Sequence, residues 1–306
     1  MPDGILNVNK PRGMTSFAVV SLVRKLTGEK RVGHAGTLDP IADGVLPICL
    51  GRATRVVEYL VDAPKAYRGT VRLGATTETF DSEGAVVATA DPSGVTRGDV
   101  EAALLPFVGA IQQLPPMYSA LKRAGKPLYR YARAGKDVPR EARPVTIYRL
   151  ELLSFAPPLL EIEMECGRGA YVRTLAHDLG QRLGCGAHLQ ALTRLRSGAF
   201  TLESAITLEE LRGAIEQGTW EEMVSPADRV LESWYAALLG DEHALEARQG
   251  RLLVLPPSRA QYEKLPEETP CRAYSAEGEF LAILRYKGAN RWHPDKVFAS
   301  AVESSA

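Results

Sequence analysis

Nowhere in the 306 residues is there a run of about 20 uninterrupted apolar residues, so no segment qualifies as a membrane-spanning helix. The start, MPDGILNVNK, carries an acid at once and no apolar stretch. That speaks against a secretory signal and for a cytoplasmic protein. Cysteine is scarce: Cys49, Cys166, Cys185 and Cys271, with no pair at C-x₂₋₄-C spacing. A zinc site is therefore not signalled, and reduced thiols are expected. The five histidines are scattered without an HExxH pattern, so no metal is expected. Net charge is also missing, with 37 basic residues against 37 acidic.

The charge that is there is unevenly placed. Between residues 120 and 149 stand nine Lys or Arg against Asp137 and Glu141. Between 201 and 250 stand eleven acids against three bases. A basic cluster can neutralise phosphates, and it can equally be a solvated face.

Periodicity predicts strands over 5–9, 45–50, 65–73, 146–155 and 159–165, and helices over 16–26, 54–60, 97–108 and 171–183. Thr15 or Ser16 can cap the first helix and Gly28 suits its end. Residues 31–44 are too rich in Gly, Pro and Asp for a regular element. Strands mix with helices without βαβ repetition, which predicts an α+β fold with a large mixed sheet. After about 250, short apolar runs at 252–255, 272–274 and 280–284 predict a small all-β module over 240–306. The larger unit is expected over 1–235.

The most informative stretch is GHAGTLDPIADGVLPICLGRATRV, residues 33–56. Its glycines permit close backbone approach, and Pro40 holds Asp39 extended. A carboxylate fixed in a loop ahead of a buried strand can serve as nucleophile, base or electrostatic stabiliser. Asp-Pro is also a common turn opener, and on local physics alone that is the better reading. A sugar hydrolase would need a second carboxylate, for which Asp43 and Asp81 are the candidates.

The same stretch resembles the catalytic motif of the TruB family of tRNA pseudouridine synthases. GILNVNKPRGMTSFAVV (4–20), KAYR (65–68), PMYSALK (116–122), GRGAYVRTL (167–175) and AHLQALTR (187–194) resemble further motifs of that family, in order, as does FDSEG (80–84) around Asp81. The resemblance runs from residue 4 to about 200. It implies a pseudouridine synthase fold, mostly antiparallel in its sheet, with a C-terminal PUA-like RNA-binding module. It implies isomerisation of uridine 55 in the T loop of tRNA, with the base flipped into the site. Neither cofactor, metal nor obligate protein partner is implied.

By that resemblance Asp39 matches the catalytic aspartate. Tyr67 matches the tyrosine stacking on the flipped uracil, and Arg173 the arginine paired with the carboxylate. Tyr171 and Leu192 match residues lining the uridine pocket, and His34 a histidine beside the flipped bases. Arg55 stands where many relatives carry Lys and can contact phosphate. The basic segment falls where the family carries an RNA-gripping insertion, about 120–145. Lys122, Arg123, Lys126 and Arg130 are its candidate phosphate contacts, with Tyr129 and Tyr131 available for stacking. Guide-RNA-dependent relatives acting on ribosomal RNA usually carry longer basic extensions, which are absent here.

Overall fold

The computed structural model describes residues 3–119, 121–123, 125–255 and 265–298. Ala120 of the 116–122 motif, and residues 299–306 of the expected C-terminal module, lie outside the described residues.

A ten-stranded sheet forms the centre. Its order is Val224–Ser225, Gly4–Lys10, Ala42–Leu50, Ala187–Ser197, Lys65–Leu73, Leu159–Cys166, Arg143–Ala156 and Gly109–Gln113. Val32–His34 and Phe200–Thr201 attach to its interior strands. Every pairing is antiparallel except Ala42–Leu50 against Ala187–Ser197. The mixed, mostly antiparallel sheet is the expected one.

Alternation explains which strands look buried in sequence. Leu46, Ile48 and Leu50 face one core cluster, shared with Val19, Val20 and Val23 of helix Ser16–Thr27 and Leu175 and Leu179 of helix Val172–Arg182. Val45 and Cys49 face a second cluster with Leu60 and Phe200. Both faces of Ala42–Leu50 are thus covered, which is why it reads as one apolar run. Leu159–Cys166 instead has one covered face. Leu160, Ile162 and Met164 point inward, and Glu163 and Glu165 outward to Arg68 and Arg196 at 3.0 and 2.6 Å.

Three expectations needed adjustment. Residues 31–44 contain the strand Val32–His34, paired on Leu50 to Ile48. Three residues are too few for a period to show. The expected helix over 54–60 begins as a 3₁₀ turn, Gly51–Val56, before Val57–Asp62 becomes α-helical. The helix expected over 97–108 ends at Leu104 because Pro106 cannot donate to a helical ladder.

The C-terminal unit is a five-stranded sheet in the order Tyr235–Leu238, Pro270–Tyr274, Phe280–Tyr286, Arg291–Val297, Leu253–Val254. One short helix, Asp241–Arg248, packs on it. The sheet seats on the 51–62 segment. Tyr59 meets Trp234 edge-on at 4.8 Å, Arg52 donates to the Phe298 carbonyl at 2.5 Å, and Lys296 pairs with Glu58. No helix among the described residues is long and apolar enough to cross a membrane.

Candidate active site

Asp39 lies in the loop joining Val32–His34 to Ala42–Leu50, and that loop is pinned from two sides. On one, Thr15 rather than Ser16 caps the first helix, accepting from Ala18 N–H. This frees the buried Ser16 hydroxyl, which donates to the Leu38 carbonyl at 3.0 Å and accepts from Leu38 N–H at 2.9 Å. On the other, Arg194 is 1% exposed and donates to the Val45 carbonyl at 2.6 Å and the Gly36 carbonyl at 3.1 Å. The parallel pairing that brings Arg194 there requires Gly44. Its φ is +99°, and a Cβ would sit 2.3 Å from the Arg194 carbonyl oxygen.

The loop's carboxylate meets a buried cation. Arg173, 4% exposed, leaves the first turn of helix Val172–Arg182 and reaches Asp39 Oδ2 at 3.0 Å. It also donates to the Tyr118 carbonyl at 2.7 Å and lies 3.8 Å from Asp81 Oδ2. Asp81, 3% exposed, accepts from Glu83 N–H at 3.1 Å and from the Thr79 hydroxyl. One guanidinium therefore joins three segments, those of Asp39, Asp81 and Tyr118.

Asp39, Tyr67, Tyr171, Arg173 and Leu192 line one cavity of about 360 Å³, within the range of small-molecule pockets. Arg194, Lys65 and Arg168 complete much of the remaining wall. A second cavity adjoins it across residues 37–39 and Arg173, and is lined by Phe17, His34, Asp81, Tyr118, Tyr129 and Arg133 among others. Asp43 lines neither. It faces a separate cavity with Lys10 and Arg12.

Burial raises the Asp39 pKa above the ordinary carboxyl range, Arg173 and Lys10 oppose the shift, and the Asp81 charge adds to it. The Asp39 side chain keeps 36% of its surface, so the carboxylate is both enclosed and reachable. Burial likewise raises the Tyr67 phenol against the opposing Arg194 charge, so Tyr67 stays neutral near pH 7. His34 is lowered by burial and then by Arg194, and its Nδ1 has no hydrogen-bond partner among the described residues. A neutral ring is suited to stacking. Lys10 and Lys65, both buried, are lowered by burial to about 8.

Six of the expected residues thus converge: five on one cavity and His34 on its neighbour. Lys122, Arg123, Lys126 and Arg130 stand exposed on a small hairpin and the helix Leu128–Arg133, and pair with no carboxylate among the described residues. Arg55 is elsewhere, donating to the Val297 carbonyl of the C-terminal sheet. Arg194, Ser16, Lys65 and Gln113 were not singled out from sequence as site residues. Only the string ALTR marked Arg194, with nothing to show that it is buried.

Over residues 24–172 the sequence matches the model of the TruB family pseudouridylate synthase N-terminal domain. Over 173–232 it matches that of the tRNA pseudouridylate synthase B C-terminal domain. The tRNA pseudouridine synthase B of Thiobacillus denitrificans is 47% identical over 97% of this chain and 96% of its own. The chain belongs to the TruB family. The TruB relative from Aromatoleum aromaticum is 49% identical over 97% of this chain and 93% of its own. That from Pseudomonas aeruginosa is 44% identical over 97% and 96%. As a TruB enzyme the chain is an isomerase that converts uridine to pseudouridine in tRNA. Among solved structures, the crystal structure of a Cbf5-Nop10-Gar1 complex superposes with a TM-score of 0.76 at 26% identity, over 97% of this chain and 85% of that one. The fold is thus that of the pseudouridine synthases with a PUA-like C-terminal sheet.

Proposed function

We propose that the substrate is uridine 55 in the T loop of tRNA, flipped into the Asp39 cavity. The observation that carries this reading is Asp39 held by the buried Arg173–Asp81 pair at a cavity walled by Tyr67, Tyr171 and Leu192. The N1–C1′ bond breaks, the uracil turns, and C5–C1′ forms. The C5 proton leaves and N1 gains one, so the product has the atoms of the substrate and no co-substrate is called for. Asp39 acts as the ionised carboxylate, attacking C1′ or taking the C2′ proton toward a glycal. Arg173 holds it ionised and aimed. Tyr67 stacks on the extracted base, whose removal from the loop costs a few kcal/mol, and is placed for the late proton transfer from C5.

His34, in the adjoining cavity, stacks against neighbouring loop bases. Lys122, Arg123, Lys126 and Arg130 contact phosphates of the T stem-loop, with Tyr129 beside them. Arg55 contacts phosphate only where the C-terminal sheet leaves it free. The catalytic unit is assigned to about 1–235 and the PUA-like RNA-binding unit to about 240–306. The pairing of Tyr235–Leu238 with the second sheet supports a seam close to residue 235. The enzyme works in the cytoplasm, without metal, cofactor or obligate protein partner.

Incubating an unmodified tRNA transcript with the purified protein, then mapping pseudouridine by chemical labelling, tests the reading. A single new pseudouridine in the T loop is expected. A folded protein that modifies another tRNA position instead would overturn it.

A further inference from the structure

The strand Gly109–Gln113 is the edge of the central sheet, and its last residue is a buried amide, 3% exposed. Gln113 Nε2 donates to the Tyr171 carbonyl at 3.0 Å, and Gln113 Oε1 accepts from Tyr171 N–H at 2.7 Å. The side chain thus grips both polar groups of one peptide position, as a ladder rung would. Tyr171 is the N-cap of helix Val172–Arg182, and its own side chain makes no capping bond. Its carbonyl also takes the first helical bond, from Leu175 N–H at 3.1 Å. Gln113 therefore fixes the start of the helix whose first turn carries Arg173.

The residues after Gln113 strengthen the connection. Pro115 and Pro116 stiffen the chain that leads to Tyr118, whose carbonyl takes a bond from Arg173 at 2.7 Å. The segment beyond is closed at its base. Gln113 stands opposite Arg143 in the sheet, and Arg140 donates to the Pro115 carbonyl at 3.1 Å. Everything between those closures is the basic insertion.

We propose that Gln113 is a positioning residue that ties the root of the basic insertion to Arg173, and through it to Asp39. This rests on the functional reading above. Through the Tyr171 backbone it sets where the guanidinium stands. Through the stiff 113–118 segment it links that position to the arms that grip RNA. Small displacements at a reacting centre cost up to about 10²-fold in rate.

The test compares Gln113→Leu and Gln113→Glu with wild type and with Gln112→Ala, an exposed neighbour. Single-turnover pseudouridine formation is measured across pH, and tRNA affinity by filter binding. Gln113→Leu should slow the single-turnover step at least about tenfold with affinity within about threefold. The acid limb of its rate profile should move to higher pH, because a displaced Arg173 no longer opposes the burial of Asp39. Gln112→Ala should match wild type. A rate within twofold of wild type, or rate and affinity lost together with an unmoved acid limb, overturns the proposal. If Gln113→Leu does not fold, Gln113→Glu decides. It keeps the size and the bond from Tyr171 N–H, so its rate relative to wild type should recover as acid protonates the new carboxyl and restores the donor. A flat relative rate across pH rejects the proposal. A wild-type protein inactive on tRNA would overturn the functional reading itself, a result distinct from either variant outcome.

Discussion

Arg173 meets Asp39 at 3.0 Å from a position almost wholly enclosed by protein, while the Asp39 side chain keeps about a third of its surface. The cation is fixed and dry, and the anion faces the cavity. Arg173 keeps further partners in Asp81 and in the Tyr118 and Thr79 carbonyls. Its place does not depend on Asp39. The pair is thus arranged as a preorganised electrostatic site, with the donor set before the reacting group ionises or moves.

Asp39→Asn should abolish pseudouridine formation, by about 10³-fold or more, equivalent to about 4 kcal/mol of barrier. Affinity for tRNA should persist. The same variant should melt at a higher temperature at pH 7. Folding raises the Asp39 pKa above its ordinary 3.8, so the folded state binds that proton more tightly than the unfolded chain does. That contribution is fully present below 3.8 and is lost as pH rises through the folded value. Removing the charge therefore helps at pH 7, and the gain should vanish in melts near pH 3.5. Equal melting temperatures at pH 7 would mean Arg173 fully offsets the burial cost.

Arg173→Gln should impair both rate and stability. It strips the partner from Asp81, whose side chain is 4% exposed, and breaking a buried pair costs about 3 kcal/mol or more. It also removes the main opposition to desolvation at Asp39. Where turnover remains measurable, the acid limb of kcat/KM should lie at higher pH than in wild type. An unmoved limb would show that Arg173 does not tune Asp39.

Much of this site was legible because its chemistry is carried by local strings. Asp39 sits in a Gly-rich loop, Tyr67 in a clean strand and Arg173 in the first turn of a helix, each within a distinctive motif. What stayed hidden depends on long-range pairing. Ala187–Ser197, the strand at the centre of the sheet, shows no clean alternation because its register shifts twice, at 189/191 and 194/196. Arg194 consequently shows no sequence sign of its burial, although at 1% exposure it is among the largest fully buried side chains of the described residues. For Arg55 the family pattern suggested phosphate, and nothing local foretold its bond to the Val297 carbonyl of the C-terminal sheet. Gln113 gave no signal at all, since an amide at a strand end has no periodicity to break.

Gly44→Ala should destabilise by about 3 kcal/mol or more, since its Cβ would meet backbone atoms of Arg194 at 2.3 and 2.8 Å from a positive φ. The parallel pairing of Ala42–Leu50 with Ala187–Ser197 cannot form around it. Gly213→Ala is the matched control. Gly213 lies within helix Leu208–Gln217 with open space at its Cβ, so alanine should stabilise by about 0.5–1 kcal/mol. Urea unfolding of both variants measures the pair, and opposite signs are expected.

Replacing Lys122, Arg123, Lys126 and Arg130 together by Gln should weaken tRNA binding with little change in folding. The four are exposed and pair with no carboxylate among the described residues, so their removal leaves no buried charge behind. Each phosphate contact contributes about 0.7–0.9 to the slope of log affinity against log salt. Losing four contacts should lower the magnitude of that slope by about 3, and the difference from wild type should shrink at high salt. Once saturated with tRNA at low salt, the variant should isomerise at a rate within about tenfold of wild type, because the Asp39 cavity is untouched. A slope unchanged from wild type would place the T stem-loop on another surface of the protein.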